Sequence, residues 1–250
     1  MGPWGAGVLL FALAVLPTRE AQAQVPRDTR QVIVAVAPGW NDHRARLQGY
    51  ERVGGSWRPL FAEPIPVLLG RSGLAWGRGV HQVPRGHSAP VKRERDGRAP
   101  AGCFAIGSIY GYAPRLPSGA SFRYRQVTRW DAWVDDPANP YYNRHLVIDP
   151  RKVPPWFESQ KMRHGDAAYA WLVEIRHNSD PPVPGAGSAI FFHIRRGEDR
   201  ATAGCTSMEE SNLVRMIRWL RADGKPHYVL LPAKDYEGLK RFWGLPDFPT

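Results

Sequence analysis

Apolar and polar positions alternate in short runs along most of the chain, and the period changes only near the C-terminus. Gln31–Ala37 reads as a buried strand, and Tyr50–Val53 and Ser56–Leu60 flank Gly54-Gly55, the two-residue signal of a β-hairpin. Further strands are expected at Ile65–Leu69, from Phe104 onward, and at Phe122–Val127, Ala132–Val134, Leu146–Ile148, Tyr169–Arg176, Ser188–Ile194 and Tyr228–Leu231. His81–Arg98 is polar, basic and broken by Pro and Gly, and reads as a surface loop. One helical period is clear: Leu213, Met216, Ile217 and Leu220 fall at i, i+3, i+4 and i+7 within Glu209–Ala222. Ser207 with Glu210 three residues later has the form of a capping box, which predicts Ser207 as the N-cap. Asp235–Phe242 reads as a short last helix. Many short strands and few helices predict a mainly β fold, with a sandwich or barrel-like pair of sheets.

The first residues follow neither pattern. Val8–Leu16 is an apolar run too short to span a bilayer, and Ala21-Gln22-Ala23 has the small-residue pattern of a cleavage site. No Lys or Arg precedes Val8, which is atypical of such a leader. Residues 1–23 are therefore expected to be a signal peptide. Residues 24–250 are expected to form a single domain working in the periplasm or cell envelope, with no membrane span after cleavage.

Composition removes some function classes. The net charge of +11 and a pI near 10.0 suggest a nucleic-acid binder at first sight. The basic residues are scattered, however, and no basic stripe interleaves with aromatics. Nucleic acid is rejected as the main partner, and the charge would instead suit an anionic envelope surface. The two Cys lie far apart and the eight His are scattered, so no metal-ligand spacing appears. In an oxidising compartment Cys103 and Cys205 admit one disulfide. The glycine turn around Cys205 is a poor place for such a staple, and Cys103, where a buried strand begins, reads as a small core residue.

The densest candidate chemistry lies between Ser188 and Met208. An apolar strand ends in His193, a charged loop follows, and a tight Thr202-Ala203-Gly204-Cys205 turn leads to the helix. A thiol is a weak nucleophile until it loses its proton. At the start of a helix, free N–H groups and the positive end of the dipole would favour the thiolate. His193 would act as base and later as acid. Gly204 would allow a carbonyl close approach, and the N–H groups of Gly204 and Cys205 would receive its oxyanion. Glu198 and Asp199 are candidates to orient His193, although a solvated charged loop is the simpler reading. The catalytic candidates are thus Cys205 and His193.

This block resembles the catalytic motif of the L,D-transpeptidase (YkuD-type) family, in which an apolar strand ending in His precedes a Ser/Thr-x-Gly-Cys turn. The likeness continues through Gly70–Gly79, Val91–Gly102, Val134–Pro137, Tyr141–Arg144 and His177–Pro182. Two positions depart from the common form. Ala203 stands where a second His precedes the glycine, and Ser207 stands where Arg or Asn follows the Cys by two places. His81, His145 and His177 are possible replacements for a missing contact, with polar surface the expected role.

The resemblance implies a barrel-like β fold with the nucleophile in the turn before a C-terminal helix. It implies action on peptidoglycan stem peptides: a thioester on Cys205, release of D-Ala, then 3→3 cross-linking by an amine or hydrolysis by water. Neither metal nor organic cofactor is needed. Substrate contacts are expected from Tyr141, Tyr142, Asn143 and Trp76, and Asp135-Asp136-Pro137 is expected to be a turn. Two other readings stay open: an exported cysteine hydrolase of non-murein amides or esters, and a non-catalytic envelope-binding protein.

Overall fold

The computed structural model describes residues 2, 25–84 and 86–249. The expected signal peptide lies almost wholly outside the described residues. Among those described, no helix is long and apolar enough to cross a membrane.

Eight strands close a barrel. Around the ring they run β1 (Gln31–Ala37), β13 (His227–Pro232), β6 (Ala99–Gly111), β10 (Trp171–Ile175), β11 (Phe191–Ile194), β12 (Thr206–Met208), β4 (Ile65–Leu68) and β2 (Arg44–Val53), which returns to β1. The hairpin read from Gly54-Gly55 is present. Both glycines have positive φ, 58° and 85°, and β3 (Ser56–Pro59) pairs back onto β2. Strands β5 (Leu74–Trp76) and β7 (Tyr124–Gln126) flank the long β6.

Helix α2 (Glu210–Trp219) covers the core with the stripe read from its period: Leu213, Met216, Ile217 and the following Leu220 are fully buried. Helix α3 (Ala233–Trp243) packs on β13 and β1, and ends at Gly244 in the left-handed conformation that a helix C-terminus commonly needs.

Three expectations are corrected. First, Ser207 does not cap α2. Thr206–Met208 stays extended because it pairs in parallel with β11 and antiparallel with β4, so the cap moves to Glu209. The Ser207 hydroxyl is buried without a partner. Second, the 81–98 loop is not simply surface. His81 and Lys92 are buried in it, and Lys92 Nζ donates to Asp96 Oδ1 at 2.6 Å. Third, the strands expected at Ala132–Val134 and Leu146–Ile148 are present but lie outside the barrel, in a cap formed by residues 127–170. It holds the two-stranded sheet β8 (Asp131–Trp133) and β9 (His145–Val147), the one-turn helix α1 (Phe157–Gln160) and a 3₁₀ turn at Ala167–Tyr169.

The cap is tied down by a buried carboxylate. Asp131 accepts from Arg125 Nε and Thr128 Oγ1 at 2.6 Å, and pairs with His145 Nε2 at 2.7 Å. Burial alone would raise its pKa, but these donors hold it below the usual value. Beneath the cap, Tyr110, Val127, Trp133, Met162, Leu172 and Phe191 make a second apolar cluster on the outer face of the sheet.

Candidate active site

Strand register decides which side chains share this site. Phe192 stands opposite Thr206 and His193 opposite Ser207 on parallel β11 and β12. Phe192 and Thr206 face inward: the Phe192 ring lies 4.7 Å from that of Tyr228, and Thr206 Oγ1 is 3.0 Å from the Tyr228 hydroxyl. Side chains alternate along a strand. His193 and Ser207 therefore face outward, as do Phe191 and, by continuation of the same register, Cys205. The sequence order strand, loop, glycine turn thus puts thiol and imidazole on one face of neighbouring strands, two residues apart in register.

The turn before Cys205 is held by its threonine. Thr202 Oγ1 donates to the Cys205 carbonyl at 2.7 Å and accepts from the Gly204 N–H at 3.0 Å. Thr202 N–H donates to Leu69 O, and Arg71 N–H to Thr202 O, which stitches the turn to the Gly70–Gly79 stretch. Gly204 has φ 153°, and a Cβ there would lie 2.9 Å from the Arg98 carbonyl oxygen, so only glycine fits. Because the Gly204 N–H is committed to Thr202, it is not free to receive an oxyanion. The Cys205 N–H takes no partner within the turn.

Cys205 and Cys103 are both free thiols. Cys103 is buried on β6 beside Val229, and burial pushes its thiol pKa up. Cys205 lines a cleft of about 170 Å³ between the barrel and the cap. Burial pushes the Cys205 thiol up to about 11, against a backbone hydrogen bond from Phe191 and the charges of Lys92 and Arg196, which pull it down. The expected thiolate is therefore not the resting form. The strand Thr206–Met208 separates the sulfur from the helix, and dipole effects fade within the first turn. The S–H is donated to the Ala189 carbonyl at 3.4 Å.

His193 is buried, and its Nδ1 lies 2.8 Å from the Ile194 carbonyl. That acceptor places the proton on Nδ1 and leaves Nε2 as the basic nitrogen. Burial lowers the imidazole pKa, opposed by this hydrogen bond, so the neutral ring is favoured. Tyr169 packs edge-on against the ring at 5.5 Å between centroids. Arg196 lies over Tyr169 and bonds Asp166 through Nε at 2.9 Å. Asp199 pairs with Arg44 on the exposed surface, and Glu198 is also exposed.

The expected substrate contacts lie elsewhere. Trp76 is buried against Trp40 and His81, and Tyr142 is buried with its hydroxyl on Glu94. Asn143 is buried with its amide bonded on every side, and Tyr141 is exposed away from the cleft. None of the four lines the cleft. Its walls are instead Trp133, Asp135, Gln160, Lys161, Met162, His164 and Tyr169 from the cap, with Leu172, Ala189 and Phe191 from the barrel side. Asp136 makes the expected turn, accepting from the Ala138 N–H at 3.0 Å. His81 and His177 are interior, not polar surface, and burial lowers their pKa to about 4 and about 3. His145 is likewise mostly buried, on Asp131.

The cleft-lining cap residues carry little local signal, since they reach the cleft through the irregular excursion of residues 127–170 and not through a motif. The signal that could have found them is the aromatic character of Trp133 and Tyr169.

No curated protein and no solved structure matches the chain. The family model for the L,D-transpeptidase catalytic domain (YkuD) matches residues 59–229, well over half of the 250 residues, and includes both Cys205 and His193. The chain belongs to the L,D-transpeptidase catalytic domain family, whose activity is directed at peptidoglycan.

Proposed function

We propose that this protein is an exported cysteine acyltransferase that forms a thioester on Cys205 from a peptidoglycan tetrapeptide stem, releases D-Ala, and passes the acyl group to an amine or to water. The observation that carries this reading is the shared outer face of β11 and β12. Cys205 and His193 stand there on neighbouring strands, and the sulfur borders a cleft between barrel and cap.

Both groups rest neutral, so the chemistry is that of a general base and not of a preformed ion pair. As Sγ attacks the carbonyl between stem residue three and D-Ala, its proton passes to Nε2 of His193. The carbonyl π pair moves to oxygen, where the Cys205 N–H donates. One oxyanion donor is commonly worth roughly 3 kcal/mol in acyl transfer. Collapse expels D-Ala, whose nitrogen takes the proton from Nε2, and leaves the thioester. The acceptor amine or water then gives a proton to Nε2 as it attacks, and the departing sulfur recovers it. The resting S–H points to Ala189, so the sulfur must turn toward His193 when substrate fills the cleft.

Acid-quenched mass spectrometry tests this. Protein from Gln24 onward, mixed with disaccharide-tetrapeptide, should gain the mass of the donor less D-Ala on the Cys205 peptide, and hydroxylamine should remove the adduct. An adduct on any other residue, or none while product accumulates, would refute Cys205 as the acyl carrier.

A further inference from the structure

Asn143 lies in the left-handed region at φ 55° and is buried. Its Oδ1 accepts from Trp133 Nε1 and from the Ala189 N–H, both at 3.0 Å. Its Nδ2 donates to the carbonyls of His177 at 3.0 Å and Asn178 at 2.7 Å. The amide thus has its donors and acceptors filled by protein, with nothing left to offer a substrate.

Ala189, which Asn143 holds, has φ 53°, uncommon for a residue with a Cβ. The neighbouring chain is fixed as well: Asn178 Nδ2 donates to Gly187 O at 2.9 Å, and Ser188 Oγ to Glu94 Oε2 at 2.7 Å. The carbonyl so placed is the one that accepts the Cys205 S–H. A buried amide, a strained peptide and the thiol form one continuous chain.

We propose that Asn143 is a positioning residue for the nucleophile: it fixes Ala189 so that the Ala189 carbonyl holds the Cys205 proton and aims the sulfur along the cleft wall until a substrate carbonyl arrives. The proposal rests on the reading of Cys205 as nucleophile. During attack the S–H bond breaks, the proton moves to His193 Nε2, and the Ala189 carbonyl is released unchanged. The charged and titratable groups around the thiol are His193 on the same face, with Lys92, Arg196, Asp135, Lys161, His164 and Tyr169, and the variants below alter none of them.

The test compares wild type with Asn143→Gly, which keeps the left-handed backbone and removes the amide. The rate of Cys205 alkylation by iodoacetamide is followed by peptide mass spectrometry from neutral to alkaline pH, beside kcat and KM on muropeptides. Losing the S–H acceptor disfavours the thiol. The rate–pH curve should therefore bend about one pH unit lower, which is roughly tenfold more thiolate at a fixed pH below the bend. Greater exposure would also relieve desolvation and lower the bend, so Met162→Ala, which opens the cleft and leaves Asn143 and Ala189 in place, measures that share, and a shift in Asn143→Gly no larger than this control's overturns the proposal. Turnover should fall about tenfold or more, with kcat reduced because aim is lost. An unmoved bend in folded Asn143→Gly overturns the proposal. Should that variant fail to fold, Asn143→Ser, whose shorter side chain cannot reach the Ala189 N–H and the His177 and Asn178 carbonyls together, decides in the same way. The bend reports on the thiol alone. Wild type that alkylates but leaves muropeptides untouched would overturn the functional reading, so the two failures are distinguishable.

Discussion

A thiol with its pKa near 11 beside an imidazole whose pKa burial depresses is a pair of neutral groups, and that fixes what substitution and pH should do. Cys205→Ala should abolish turnover and leave thermal unfolding close to wild type, because the side chain stands at a cleft wall and not in the main core. Gly204→Ala should do both kinds of harm: its backbone is in a glycine region, and the new Cβ meets the Arg98 carbonyl. A cost of about 1–3 kcal/mol in denaturant unfolding, with slower acylation, is the expected result. The base is neutral His193, so turnover should decline as pH falls through its folded pKa. That pKa is depressed, which puts the acid limb of the rate profile below the usual histidine range. The placement of His193 at a strand end and of Cys205 after a glycine turn was legible from residue order alone, the catalytic role of the pair being the proposal made above. The protonation of the pair was not, because that depends on burial by the cap and on the Ala189 and Ile194 carbonyls, and backbone acceptors leave no mark in a sequence.

At the scale of elements, hydrophobic period was a sound guide wherever one face is buried. The α2 stripe fell where expected, and Met216→Ala should cost roughly 2–5 kcal/mol by denaturant unfolding because the site is completely enclosed. The boundary before α2 was misread for a definable reason. Ser-Met-Glu-Glu has the local pattern of a capping box, but pairing of Thr206–Met208 with β11 and β4 outweighs a cap worth about 1 kcal/mol. The two placements differ measurably. An N-cap serine replaced by alanine loses stability, whereas Ser207→Ala here removes a buried, unpartnered hydroxyl and should leave stability unchanged or raised. The strand also gives Cys205 its orientation, since in-register pairing is what turns it to the face of His193.

Across the whole molecule, a closed barrel carries one side of the cleft and an irregular cap lines the other. Mainly β composition and the run of short strands indicated the barrel. The two strands of the cap were legible, but its place outside the barrel was not, because that rests on single contacts, such as Asp131 with Arg125 and His145, and on aromatic packing between residues distant in sequence. Buried neutral histidines also set the acid tolerance of the fold. His81 and His177 have folded pKa values of about 4 and about 3, below the unfolded value near 6.5. The unfolded chain therefore binds more protons between these limits. Stability should be whole above pH 6.5 and drain away as pH falls toward 4 and then 3, which thermal unfolding at stepped pH would record. His177→Asn should flatten that dependence while lowering stability at neutral pH.

The most direct measurement is of products. Purified disaccharide-tetrapeptide is incubated with protein from Gln24 onward and with its Cys205→Ala variant, and the muropeptides are resolved by mass spectrometry. The expected result is loss of D-Ala with wild type only, as trimmed tripeptide, as a 3→3 cross-linked dimer, or both. Their ratio tells whether water or an amine is the preferred acceptor. Unchanged tetrapeptide in the presence of wild type whose Cys205 still alkylates would contradict peptidoglycan acyl transfer as the activity of this site.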